Sequence, residues 1–178
     1  MEMMVAIAVF SVVMVTAMSA LLNIIDANNK ARAIKVAVDN VSFALEGISK
    51  DMRMGTEYKC LDDSGVITPC SSTGNSGIQY QKSDAGGNVI IVRYLFVASS
   101  GLVKGKIQKE INSDGFHDIT SSEVNILKMK FYVLNANDNT KQPRMIMTLT
   151  GEAGVKDKIK TDFDLQTSVS QRVRPEII

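Results

Sequence analysis

Residues Met3 to Ile25 read MMVAIAVFSVVMVTAMSALLNII, and none of them carries a charge. The stretch has no Pro and no Gly, and its polar members (Ser11, Thr16, Ser19 and Asn23) are small or fall late in it. At 1.5 Å per residue a helix over this run reaches roughly 35 Å, enough to cross a hydrocarbon core of about 30 Å. Two other readings compete. A cleaved signal peptide needs a basic leading segment, a shorter apolar core and a small-x-small cut site. No basic residue stands before this run, and its core is longer than that. A buried core helix would need a large domain around it. Apolar residues occupy every face here, and a chain of 178 residues has little volume to enclose them. The run is read as a single membrane-spanning helix.

Working outward, Glu2 stands at the edge of the run. A carboxylate near a helix N-terminus gains roughly 0.3–1 kcal/mol from the macrodipole, which is one reading of it. The other is a charge that must find a cationic partner when the helix packs on a copy of itself, because an unpaired carboxylate in hydrocarbon costs several kcal/mol. On the far side, residues 26–35 turn polar (DANNKARAIK). An amphipathic pattern then follows, with Ile34, Val38, Val41, Leu45, Ile48 and Met52 spaced 4, 3, 4, 3, 4 along one helix face. Arg53 and Gly55 form a C-terminal stop. One helix over residues 2–54 is predicted, on the order of 80 Å long. Residues 1–26 form its membrane half, residues 27–54 its amphipathic half, and residues 55–178 an extracytoplasmic β-rich head.

In the head the period changes to two. Strands are expected at Ile78–Gln81, Val89–Val97, Val103–Ile111, Val124–Leu134, Arg144–Thr150 and Ile159–Val169. The last alternates Ile159, Thr161, Phe163, Leu165, Thr167 and Val169 with charged and polar neighbours. Turns are expected at residues 86–88, 99–101, 112–115, 135–139 and 151–154. No segment suits a crossover helix, so the sheet should be antiparallel, with its dry face on the helical stripe. The fold class is α+β.

Cys60 and Cys70 are the only cysteines and flank a short polar loop. Either they are free thiols in a reducing compartment, or they form a disulfide contributing roughly 2–3 kcal/mol. The disulfide reading places the head in an oxidising compartment outside the cytoplasm. Lys30, Arg32 and Lys35 follow the apolar run, which by the positive-inside rule alone would put the head inside. The expectation that reconciles the two is a basic segment upstream of Met1. With one His and no phosphate loop, HExxH, CxxC or GxSxG motif, the sequence points away from an enzyme, and no cofactor or metal is expected. Asn135 to Asn139 offers oxygen ligands for calcium but lacks acidic density, so an ordinary hairpin loop is preferred there. The net charge of +1 gives no global pull on nucleic acid. Lys104, Lys106 and Lys109 make only a minimal basic patch, and nucleic acid is not expected as a partner.

The opening EMMVAIAVFSVVMVTAM resembles the N-terminal helix of type IV pilins and type II secretion pseudopilins. Glu2 matches that family's glutamate and Met1 the residue before it. SFALEGISKDMRMG (residues 42–55) is similar to the second half of the spine in J-type minor pseudopilins, and FDLQTSVSQR (residues 163–172) resembles the family's last strand. Two departures stand beside the resemblance: the family's basic leader would have to lie upstream of Met1, and the apolar helix carries neither Gly nor Pro. The resemblance implies a pilin-like fold and a membrane-stored subunit that an inner-membrane assembly platform extracts into a filament with other pilin or pseudopilin subunits. Met3, Val5, Ile7, Phe10, Val13, Leu21 and Leu22 would then form the lipid-facing and later filament-core surface, with Glu2 pairing with a neighbour's terminal ammonium. The alternative is a single-pass anchored binding or adhesin domain outside any filament.

Overall fold

The computed structural model describes residues 2–84, 86–136, 141–154 and 160–172. Helix α1 runs unbroken over Glu2–Arg53, 52 residues, or about 78 Å. Its head-facing residues are Ala37, Val41, Ala44, Leu45, Ile48 and Met52, with Ile34 half-buried at the lower end. Ala37 and Ala44 join the expected stripe, whereas Val38 lies at its margin, half-buried. The small alanines let strands approach the helix axis where a longer side chain would hold them off.

The helix ends because the next residues have other partners. The Gly55 amide donates to Met52 O at 3.1 Å, and a Cβ on Gly55 would lie 2.6 Å from the Tyr80 ring. Glu57 then takes a positive φ of 51° where the following strand bulges. That turns Tyr58 inward, and its hydroxyl donates to Met52 O at 2.5 Å and lies 2.7 Å from Gly55 O. Tyr58 thus adds a second hydrogen bond at Met52 O and caps the carbonyl of Gly55 just past the helix end.

Among the described residues nine strands follow: β1 (Thr56–Leu61), β2 (Ile67–Thr68), β3 (Gly77–Ser83), β4 (Val89–Val97), β5 (Lys106–Ile111), β6 (His117–Asp118), β7 (Asn125–Leu134), β8 (Arg144–Ala153) and β9 (Thr161–Ser170). All pairings among them are antiparallel, as expected. They form two sheets rather than one. The first has six strands in the order β2-β1-β3-β4-β5-β6, and the second has three, β7-β8-β9. Helix α1 packs against β9 and β8, and β7 leans across the first sheet.

Two junctions join the sheets. Asn75 and Phe131 exchange backbone hydrogen bonds of 2.9 and 2.8 Å, and the Ile126 amide donates to Gly105 O at 3.0 Å. A Cβ on Gly105 would sit 2.0 Å from the Ile126 carbonyl oxygen, so only glycine allows that approach. This is why β5 starts at Lys106 and not at Val103. The expected turn at 151–154 is also displaced: β8 continues to Ala153, because Gly151 makes room for the Phe163 ring across the pair. Expected strand Ile159–Val169 is β9, whose Thr161, Phe163, Leu165, Thr167 and Val169 face inward; Ile159 lies outside the described residues.

Candidate functional site

Among the described residues, the lower half of α1 presents a continuous run of exposed apolar side chains. Met3, Val5, Ile7, Phe10, Val13, Leu21 and Leu22 are all more than half exposed, and no part of the most apolar stretch is buried. This helix is long and apolar enough to cross a membrane. Two of its internal polar groups turn back on the helix. Ser11 Oγ donates to Ile7 O at 2.8 Å, and Thr16 Oγ1 donates to Val13 O at 2.9 Å. Neither of these hydroxyls therefore needs water. Glu2 is exposed in the first turn of α1, beside the shallow apolar side made by Val5, Ala6, Val9, Phe10 and Val13.

The upper half of α1 is tied to the head by charge as well as packing. Asp51 accepts from Lys82 Nζ at 2.8 Å, Lys109 Nζ at 2.7 Å and the Tyr94 hydroxyl at 2.9 Å. The Lys109 ammonium also stands 5.4 Å from the centre of the Tyr94 ring. Burial pushes the Asp51 carboxyl up, but hydrogen bonds from Lys109, Lys82 and Tyr94 outweigh it and hold the group below the ordinary carboxylate range. Burial raises the Tyr58, Tyr80 and Tyr94 hydroxyls, the last also through its contact with Asp51, so this tyrosine row stays neutral.

Cys60 and Cys70 form a disulfide with a Cα–Cα distance of 5.1 Å. It ties β1 to the segment after β2, beside a groove lined by Tyr58, Ile67, Pro69, Val133 and Ala136. The structure places this bridge in the head and Glu2 at the far end of the helix, so these expected site residues form two separate features. The three lysines of the supposed basic patch diverge. Lys104 bonds the Ser122 and Glu123 carbonyls, Lys106 pairs with Asp118 at 2.7 Å, and Lys109 pairs with Asp51. Asn135 adopts a positive φ of 59°, and Asn137 to Asn139 of the considered calcium loop lie outside the described residues. Among the described residues, no three His, Cys, Asp or Glu side chains gather as a metal site.

Asp51 is the residue that sequence reasoning missed. A signal existed: Ala37, Ala44 and Asp51 are spaced by seven, a second seam beside the apolar stripe. An acid continuing a seam of buried small residues has to meet a cation. The chain matches no known family profile, no curated protein and no solved structure.

Proposed function

We propose that this chain is a structural, non-catalytic subunit, a minor pilin or pseudopilin, of a type IV pilus or type II secretion filament, with a pilin-like fold. In this reading it is stored in the inner membrane with its head outside the cytoplasm and assembles through its apolar helix. The observation that carries the proposal is the continuity of α1. One unbroken element presents an uncovered apolar half with Glu2 in its first turn and grips the head with its other half. A surface of that kind suits lipid before assembly and parallel copies afterwards. The disulfide supports an oxidising location for the head.

Glu2 separates this reading from that of a simple anchored domain. In a lone anchor the carboxylate stays at the interface, and its removal is nearly silent. In a dry bundle of helices it needs a cation, and leaving either charge alone costs about 3–5 kcal/mol. That is at least about a hundredfold in an assembly equilibrium. Glu2→Ala is expected to leave expression, membrane insertion and head folding unchanged while lowering incorporation into sheared filaments or crosslinking to partner subunits. Equal incorporation at equal membrane levels would count for the anchored domain.

A further inference from the structure

Cys60 and Cys70 stand in unlike places. Cys60 lies in β1 and is fully buried, whereas Cys70 is exposed on the segment that leads from β2 to β3. That segment also builds one of the two junctions between the sheets. Asn75 is buried near its end, and its side chain is held by the residues on either side of Cys70. The Ser71 amide donates to Asn75 Oδ1 at 2.8 Å, and Asn75 Nδ2 donates to Pro69 O at 3.4 Å. The Asn75 backbone in turn makes the paired bonds to Phe131, whose side chain is buried in the core.

The flanking contacts lead to the same strand. Gly74 takes a φ of 82°, and a Cβ there would lie 2.8 Å from the Tyr132 ring, so the segment lies close against β7. The Ser76 hydroxyl is bonded to Asp63, inside the loop that the bridge closes, and accepts from Lys130 Nζ of β7 at 3.2 Å. Three successive residues thus meet β7, and the bridge fixes where their segment starts. A buried amide stripped of its hydrogen-bond partners is costly, so Asn75 needs Pro69 and Ser71 in place.

We infer that the Cys60–Cys70 bridge is a redox latch on this junction: the bridge and the Asn75–Phe131 pairing favour one another, and the second junction, at Gly105 and Ile126, is independent of both. The inference stands on the head alone and holds with or without a filament. The coupling is reciprocal, as linkage requires. An intact bridge keeps Pro69 and Ser71 where Asn75 binds them. A formed junction keeps Cys70 beside Cys60 and so resists reduction. A dithiol opens the latch in two steps. Its thiolate attacks the accessible Cys70 sulfur, forming a mixed disulfide and expelling Cys60 as a thiolate that takes up a proton. The reductant's second thiol then attacks the mixed disulfide, leaves as a cyclic disulfide and releases Cys70 as a thiol. The head gains two hydrogens and the dithiol loses two.

Residue-resolved amide hydrogen exchange on the full chain in detergent compares the bridged protein with Cys60→Ala/Cys70→Ala. The Ile126 amide, bonded to Gly105 O at 3.0 Å, is the internal reference because it belongs to the other junction. The Ser71, Asn75 and Phe131 amides are expected to lose protection about tenfold or more beyond any change at Ile126. In a second arm, dithiothreitol is expected to reduce bridged Asn75→Ala about tenfold or more faster than the wild-type chain, again beyond any change at Ile126. Unchanged protection at these three amides overturns the latch, and so does an equal rate of reduction. Loss of protection at Ile126 by the same factor in either arm overturns it too, because the bridge then stabilises the head as a whole and not this junction.

Discussion

A single carboxylate joins helix and head. Asp51 meets two ammonium groups and one phenol, and its side chain keeps only 23% exposure. Replacing it by Asn removes two charge-assisted bonds, and we expect a loss of about 1–3 kcal/mol at neutral pH. The sign with pH follows from the depressed carboxyl. Its contribution is complete above the ordinary carboxylate pKa and is lost as pH falls through the lower value of the folded state. The Asp84 carboxyl is depressed by backbone and side-chain bonds from Asn88, and that of Asp118 by Lys106 and then Gln108. Both proteins share these groups, so they cancel in the comparison. Urea titrations of wild type and Asp51→Asn should therefore differ most near pH 7 and converge below about pH 4. A difference independent of pH would show that the contact is steric and not ionic.

At the scale of elements, α1 is the part that matters most, and Leu45 is its test. It is buried in the core on the head-facing stripe. Leu45→Asp places a charge there with no cation to meet it, and a loss of about 3–5 kcal/mol is expected. Proteolysis and urea unfolding of the head would register it; a head indifferent to the change would mean that the helix is not its support. This helix was legible in the sequence because 3.6-residue periodicity over five turns is hard to mistake, and β9 because its alternation is uninterrupted. Strand β1 was not, since the bulge at Glu57 breaks the period just where TEYKCL begins. Strands β2 and β6 are two residues each, too short for any period to appear. The way the two sheets are joined was not legible either, since the approaches at Asn75 and Gly105 bring together residues far apart in the chain. The candidate surface on α1 was legible for the same reason as the helix; the Asp51 clamp was hidden because both its lysines come from distant strands.

For the whole molecule, the contacts divide cleanly along the helix. The partly buried Ile34 begins the packed region, and every exposed apolar residue from Met3 to Ile25 lies below it. Removing residues 1–26 should thus yield a water-soluble head with its sheets and packed helix intact. Mass analysis after alkylation without reductant should find no modified thiol, since both cysteines are bridged. Aggregation of the truncated protein, or two alkylated thiols, would contradict this division.

Between Ile25 and Ile34 the chain passes through a length of bare helix. Residues 26–32 are all exposed, with Asn28 and Asn29 among them, and α1 is the one covalent link between the apolar half and the head. Any pull on one half is carried to the other through this stretch alone. Its backbone bonds compete with water and with weak helix formers, whereas those above are supported by packing and those below would be supported by hydrocarbon once inserted. Tension therefore opens this stretch first. Each residue drawn from helical to extended form adds about 1.8 Å, so eight residues supply about 15 Å. If the two halves are pulled apart, this bare stretch would act as a spring between them, lengthening while the head stays folded.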